Sequence, residues 1–318
     1  FQCALPVSQI FLSPTIATLA ATIESHNSAA RLVVPLRQGG HAAPIWLIHP
    51  AGGTVFCYRT MASRIDEAHP VYAIQSPEIA GLDLGPCDVD MLCRRYACEI
   101  VRLQTDGPVY LAGWSLGGAL SFRIAEMLER EGRQVGWVGL FDTMPVRDER
   151  PQDFEEFVAW ALTRVQVETL APGEALAESH ARTAQYIEEY GIAPLVQGLS
   201  DNPDYLTEAL ALDAHYVAFL RSQYAIQQAH IALMTGFVPG RINAPLHVFQ
   251  AEESVRLHAG QMNWLAHTKD TRNSTQQSLP GRHENLILLE ENINAIVRVL
   301  GVGSGRAVGS RLGCNPSD

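Results

Sequence analysis

The sequence predicts an α/β fold with a mostly parallel sheet that is covered by helices on both faces. Short apolar runs that end in turn residues alternate with helical patterns along most of the chain, which is typical of βαβ units with right-handed crossovers. The apolar runs lack the two-residue alternation of a half-exposed strand, as expected for a sheet buried on both faces. The chain has 318 residues, 47% of them hydrophobic, which is enough for a large core.

The individual elements follow from the same patterns. Six runs predict strands, and they are Ile45–His49, Val71–Gln75, Val109–Gly113, Val138–Phe141, Leu246–Phe249 and about Gln276–Leu279. Amphipathic patterns between and after these runs predict helices, among them Val89–Leu103, Ala119–Glu131 and Leu286–Leu300.

The segments outside the alternating body predict a division of the chain into parts. Residues 1–30 form a separate unit with a capped helix that begins near Ser13, and residues 31–44 are expected to be a linker. Residues 45–300 form the main domain. Within it, residues 151–237 give only helical patterns, which predicts a helical lid inserted between two strands. The Gly-, Ser- and Arg-rich residues 301–318 are expected to form a flexible tail.

Composition excludes several classes of partner. The net charge is −11, Lys269 is the only lysine, and no basic stripe exists, so a nucleic-acid partner is not expected. No apolar run is long enough to cross a bilayer, and no basic-then-apolar leader opens the chain, so no membrane association and a cytoplasmic location are expected. The six cysteines show neither CxxC pairs nor zinc-site spacing, so no metal or bound cofactor is expected.

Because the first residue is Phe, we expect the chain to be cut from a longer protein.

The strongest chemical signal is the segment Gly113-Trp114-Ser115-Leu116-Gly117-Gly118. It follows a predicted strand and precedes a predicted helix. A G-x-S-x-G string is a weak signal alone, but in this setting it predicts a nucleophile elbow. The elbow raises Ser115 above the sheet, with the helix N-terminus beneath a developing negative charge. Ser115 is therefore the candidate nucleophile of a serine hydrolase with the α/β-hydrolase fold.

A serine hydroxyl needs a base, and the base needs an orienting acid. In this fold the chain order is serine, acid, histidine. His283 lies in a turn between the last predicted strand and the last predicted helix, where the base is required, so it is the candidate base. His258 and His267 lie in a polar stretch and are interpreted as surface residues.

Two acid sites compete because both follow the carboxyl end of a strand. Asp142 closes the strand Val138–Phe141, and the pair Glu252 and Glu253 follows a later strand. An exposed Glu pair is more often a solvated loop, whereas a lone Asp that closes an apolar strand lies at the sheet edge where the serine is. This favours Asp142.

The oxyanion hole of such a site needs two backbone N–H donors. One candidate is Leu116, which directly follows the serine. The other is Ala51, in the segment His49-Pro50-Ala51-Gly52-Gly53 after the first predicted strand. His49 itself is interpreted as structural, because it precedes the serine.

These residues resemble a known family. His49-Pro50-Ala51-Gly52-Gly53, the elbow, Leu140-Phe141-Asp142 and Gly281-Arg282-His283 are similar to the type I thioesterase domains of nonribosomal peptide synthetases, as is the 27-residue spacing from Ser115 to Asp142. Residues 11–24 resemble the final helix of a peptidyl carrier domain. The carrier's phosphopantetheine serine is absent. Arg282 also stands where an acidic or small residue is common.

The resemblance implies a chain-releasing thioesterase with Asp142 as its acid. An acyl or peptidyl chain would arrive on the phosphopantetheine of an upstream carrier domain, move to Ser115, and leave by macrocyclisation, oligomerisation with cyclisation, or hydrolysis. Two alternatives stay open. One is a free-standing editing thioesterase or esterase, and the other is a non-catalytic binding module with the same fold.

Overall fold

The structure, a computed structural model, describes residues 15–17, 20, 32–82, 87–144, 153–154, 157–158, 214–258 and 263–302. Its centre is a seven-stranded sheet with the order β1-β3-β2-β4-β5-β6-β7. The strands are β1 (Val33–Arg37), β2 (Ile45–Ile48), β3 (Val71–Ile74), β4 (Val109–Trp114), β5 (Val135–Phe141), β6 (Leu246–Ala251) and β7 (Thr275–Leu279). Every neighbouring pair is parallel except β1 with β3. The predicted mostly parallel α/β sheet is confirmed.

The linker predicted over residues 31–44 is wrong in its first half, because Val33–Arg37 forms strand β1. This strand pairs antiparallel with β3, and Val33 lies opposite Ile74. Pro35, within this strand, has no N–H to donate. At the edge of a sheet, however, a proline is tolerated.

Helices cover both faces of the sheet. A 3₁₀ turn (Phe56–Tyr58) precedes the first of them, and the helices are α1 (Arg59–Arg64), α2 (Pro77–Ala80), α3 (Val89–Leu103), α4 (Leu116–Arg130), α5 (Ala214–Leu233), α6 (Glu252–Leu257) and α7 (Glu290–Val299). One buried cluster packs α3 and α4 against the sheet, and a second packs α1 and α7 against the opposite face. In the described ranges, no helix is both long and apolar enough to span a membrane.

Several element boundaries differ from the predicted ones. Strand β5 begins at Val135, and the last helix begins at Glu290 because residues 284–288 form turns. The predicted tail begins at residue 301, yet Val302 is buried and its carbonyl accepts a hydrogen bond from the Asp66 N–H at 2.6 Å. Residues 303–318 lie outside the described residues.

Two predicted parts of the chain fall largely outside the described residues. In the carrier-like unit, Ile16, Ala17 and Ala20 are described, and they are helical. In the predicted lid, the described residues are 153–154, 157–158 and those from 214 onward. The rings of Phe154 and Phe157 pack against Tyr224 of α5, at centroid distances of 5.4 Å and 5.5 Å.

Arg37, at the end of the edge strand, holds the turn between α1 and β3. Its guanidinium donates hydrogen bonds of 2.6–2.9 Å to four backbone carbonyls, those of Ala62, Ile65, Asp66 and His69. These carbonyls belong to the end of α1 and the loop after it, where a helix leaves acceptors without intrahelical partners. A planar guanidinium can satisfy several of them at once.

We expect Arg37→Ala to lower the free energy of unfolding by about 2–3 kcal/mol, because hydrogen bonds from a charged donor contribute about 1.5–3 kcal/mol each and these four share one group. Arg37→Lys should recover only part of this, since an ammonium lacks the fork geometry. Urea denaturation measures both, with exposed Arg59→Ala as the control. Equal stability of Arg37→Ala and Arg59→Ala would contradict this role.

Candidate active site

Ser115 lies on a sharp turn between β4 and α4. Its backbone angles are φ 56° and ψ −126°, a region that residues with a Cβ rarely adopt. The glycines on either side permit the turn. A Cβ on Gly113 would lie 2.1 Å from the carbonyl carbon of Gly117, and a Cβ on Gly117 would lie 2.2 Å from the Ile48 carbonyl oxygen. The sequence therefore folds into the predicted elbow because only glycine fits at these two contacts.

The structure brings Ser115, His283 and Asp142 into one hydrogen-bonded chain. Nε2 of His283 lies 3.0 Å from Ser115 Oγ, and Nδ1 lies 2.8 Å from Asp142 Oδ2. Because a carboxylate only accepts, Nδ1 carries the proton and Nε2 is left to accept from the serine hydroxyl. This is the arrangement in which an imidazole can remove a proton from a serine.

The environment of Asp142 keeps it ionised. Burial on its own raises the pKa of this carboxyl. The contact with His283, the Ser254 hydroxyl at 2.6 Å and the Ala251 N–H at 3.0 Å outweigh burial and bring the pKa below its ordinary value.

The competing acids occupy a different position. Glu252 and Glu253 begin helix α6, where Glu252 is exposed and Glu253 lies 3.9 Å from Arg256. The carboxylate that the structure places against His283 is therefore that of Asp142.

Trp114 contacts both the backbone carbonyl and the ring of His283. The indole Nε1 donates to the His283 carbonyl at 3.0 Å, and the two rings lie 5.2 Å apart with a tilt of 33°. Trp114 is the residue before the serine, so the elbow fixes the nucleophile and the partner histidine together.

The two candidate oxyanion donors lie at adjoining ends of β2 and β4. Leu116 is the first residue of α4, and the first N–H groups of a helix have no intrahelical acceptor. Ala51 follows β2, whose end contacts the elbow through Gly117. Tyr58 ties these strand ends together, because its buried hydroxyl donates to the Ile48 carbonyl at 2.6 Å and accepts from the Trp114 N–H at 2.8 Å.

Three further histidines among the described residues are not part of the serine's hydrogen-bonded chain. His49 is fully buried and contacts Pro50 and Tyr96. His267 is partly exposed and contacts the Gly240 carbonyl at 2.8 Å. His258 caps the end of helix α6 and is partly exposed.

Sequence reasoning missed two residues that contact this site, namely Tyr58 and Ser254. Each acts through a partner far along the chain, and Ser254 lies 112 residues from Asp142. No local pattern marks such contacts. A serine directly after the Glu252-Glu253 pair was the one available signal, since it follows the carboxyl end of a strand.

A mostly parallel sheet that carries a serine on a strand–helix elbow places the chain in the α/β-hydrolase class of folds. Residues 43–298 match the family model of the thioesterase domain, and the chain belongs to that family.

The curated relatives include nonribosomal peptide synthetases. The chain is 33% identical over 161 residues to the dimodular nonribosomal peptide synthase of Bacillus subtilis, a match that covers 49% of this chain and 7% of the relative. It is 31% identical over 152 residues to enterobactin synthase component F of Escherichia coli, covering 46% of this chain and 12% of the relative. The matched part of the chain thus spans a small fraction of either protein's length.

Solved structures share the fold. A four-domain nonribosomal peptide synthetase bound to AMP and glycine superposes with a TM-score of 0.65 at 24% identity, covering 90% of this chain and 21% of that one. The surfactin thioesterase domain SrfTE, described in connection with cyclisation of that lipopeptide antibiotic, gives a TM-score of 0.56 at 19% identity, covering 86% of this chain and 96% of that one.

We expect Ser254→Ala to lower the free energy of unfolding at pH 7 by about 1.5–3 kcal/mol, the contribution of a hydrogen bond to a charged group. The pKa of Asp142 is lowered by folding, so its carboxylate stabilises the fold above the unfolded pKa of about 3.9. That contribution is lost as the pH falls through the folded pKa. The deficit of Ser254→Ala should therefore shrink in acid.

Denaturant unfolding at several pH values from 7 down to about 2, below the lowered folded pKa, measures this deficit, with Ser254→Thr, which keeps the hydroxyl, as the matched control. A deficit that stays constant over this range, or is equally large in Ser254→Thr, would show that Ser254 does not act through the Asp142 carboxylate.

Proposed function

We propose that this thioesterase domain releases an acyl or peptidyl chain from the phosphopantetheine of an upstream carrier domain, through an ester on Ser115. The observation that carries the proposal is the hydrogen-bonded chain from Ser115 through His283 to Asp142, set on the elbow. Membership in the thioesterase-domain family and the synthetase relatives support the substrate class. Residues 1–30 are proposed to be the end of the carrier domain.

The first half of the reaction forms the acyl enzyme. The Ser115 hydroxyl attacks the thioester carbonyl carbon while Nε2 of His283 takes its proton, and Asp142 stabilises the imidazolium. The N–H groups of Leu116 and Ala51 receive the oxyanion of the tetrahedral intermediate. Collapse of the intermediate breaks the C–S bond, and the imidazolium returns its proton to the departing phosphopantetheine thiolate.

The second half releases the chain. His283 takes a proton from the attacking group, which is either water or an amine or hydroxyl of the chain itself, and returns it to Ser115 Oγ as the ester breaks. We propose intramolecular attack, and hence a cyclic product, as the main route. A well-oriented internal nucleophile reaches effective molarities of about 10⁵–10⁸ M, which is enough to outcompete water.

The route depends on a chamber that holds the chain near Ser115, and the inserted segment 151–237 is proposed to form it as a lid. Its apolar residues are the basis of this proposal. Three of those described, Phe157, Val217 and Leu220, are buried. Others that would line a chamber, including Trp160, Leu206 and Leu210, lie outside the described residues, so the product has to be identified by experiment.

We expect a serine-directed phosphonate to label Ser115 alone, because only this hydroxyl is activated by His283. Ser115→Ala should abolish labelling and reduce thioester turnover by several powers of ten, as removal of a triad member does. Mass spectrometry of peptic peptides locates the label. Exposed Ser63→Ala serves as the control and should be labelled like the wild type. Labelling at a different serine would contradict the assignment of the nucleophile.

We expect a linear peptidyl thioester of the upstream synthetase's own sequence to yield a product lighter than the free acid by one water, because the internal nucleophile replaces water. Mass spectrometry of the reaction with purified domain distinguishes the two, and Ser115→Ala supplies the blank. Free acid as the sole product would refute cyclisation and leave the acyl-enzyme mechanism standing. Turnover of simple esters but not of acyl thioesters would argue for an esterase.

A further inference from the structure

Two imidazoles hold two consecutive carbonyls in the loop after β2. Nδ1 of His49 lies 2.8 Å from the Pro50 carbonyl oxygen, and Nδ1 of His230 lies 2.7 Å from the Ala51 carbonyl oxygen. Since a carbonyl only accepts, both Nδ1 atoms carry protons and donate. The two rings are packed together, with their centroids 4.9 Å apart.

These contacts fix the direction of backbone N–H groups, because a peptide group is planar and its N–H points opposite its C=O. The Pro50 carbonyl shares a peptide plane with the Ala51 N–H, the candidate oxyanion donor. The Ala51 carbonyl shares the next plane with the Gly52 N–H. With both planes held, φ and ψ of Ala51 are set, and its N–H cannot swing away. His49 holds the first plane and His230 the second.

His49 is locked in the form that this role requires. Burial, and then the neighbouring charge of His230, lower the pKa of His49 to about 3, so it is neutral at physiological pH. Its Nε2 lies 2.7 Å from the buried Tyr96 hydroxyl, which donates to it. The Pro50 carbonyl also accepts from the Gly53 N–H at 2.9 Å, which closes the turn.

His230 reaches the loop from a different part of the chain. It lies on α5, the long helix that ends the inserted segment, and its side chain is 1% exposed. Nε2 lies 3.3 Å from a carboxylate oxygen of Glu78 on α2, and this contact lowers the pKa of Glu78 to about 2. Since a carboxylate only accepts, this contact is favourable when Nε2 also carries a proton, and the ring is then held with Nδ1 toward the Ala51 carbonyl. The same face of α5 meets the loop again, since a Cβ on Gly52 would lie 3.4 Å from the side-chain oxygen of Gln223.

We propose that His230, oriented by Glu78, is a positioning residue for the oxyanion donor Ala51, and that it makes the geometry of the oxyanion hole depend on the position of α5. The proposal rests on the thioesterase function proposed above. It predicts that loss of the His230 donor weakens stabilisation of the transition state and leaves substrate binding nearly unchanged.

The test compares two substitutions at residue 230. His230→Phe keeps a ring against His49 but removes the donor, and we expect kcat for an acyl thioester to fall about tenfold to a hundredfold. This is less than the 10²–10³-fold effect of deleting an oxyanion donor. KM should change less than about threefold. His230→Asn places an amide N–H near the position of Nδ1 and should restore kcat to within about threefold of the wild type. Unchanged kcat in His230→Phe, or equal losses in the two variants, would overturn the proposal.

Two controls separate this role from general damage. His247→Phe replaces another buried histidine, which contacts Thr275 on β7, and it should keep the wild-type kcat. If His230→Phe does not fold, Glu78→Ala takes its place, because Glu78 is half-exposed and its loss leaves the core intact. That variant should lose kcat a few-fold at constant KM, and full activity would count against the role of His230.

Labelling and thioester turnover of the wild-type protein distinguish failure of this proposal from failure of the proposed function. A wild-type protein that neither reacts with the phosphonate at Ser115 nor turns over a thioester would refute the thioesterase function itself. A wild type that does both, beside a His230→Phe variant with unchanged kcat, would refute only the positioning role.

Discussion

The backbone of Ser115, held at φ 56° and ψ −126°, is the constraint on which the site depends. Such a conformation is unfavourable by about 1–3 kcal/mol and persists only where its surroundings enforce it. Here the Ser115 N–H donates to the Phe141 carbonyl at 2.8 Å, which ties the turn to the neighbouring strand. Gly117 sits against the Ile48 carbonyl, which ties the turn to the strand on the other side. The serine is raised because two parallel strands hold the turn between them.

The parts of this arrangement that follow from local pattern could be predicted. The strand, the glycines and the helix around Ser115 form one continuous signal. The predicted helix Val89–Leu103 has the observed bounds, and Asp88 caps its first turn. Strand β1 could not be predicted, because Pro35 and the polar end at Arg37 mask a short edge strand. Its place in the sheet depends on pairing with β3, about 40 residues away along the chain.

The same distinction applies within the site. Asp142 and His283 were predicted from the chain order of the fold and from their places after strands. The groups that orient them come from contacts across 112 and 169 residues, from Ser254 to Asp142 and from Trp114 to the His283 carbonyl. Local sequence patterns contain no signal for contacts between residues so far apart in the chain. They arise because all these residues lie at or after the carboxyl ends of strands in the same sheet, where the connecting loops meet.

Burial explains why one fold can use chemically identical side chains for different work. His283 is about a quarter exposed, with a carboxylate on one nitrogen and a hydroxyl on the other, so a proton can move through it. His49 is fully buried, and its pKa of about 3 keeps it neutral, so its Nδ1–H continues to donate to the Pro50 carbonyl. An imidazole that cannot change its protonation state can only hold a backbone in place. The chain-order argument that excluded His49 as the base therefore has a physical counterpart: its environment prevents it from taking up a proton.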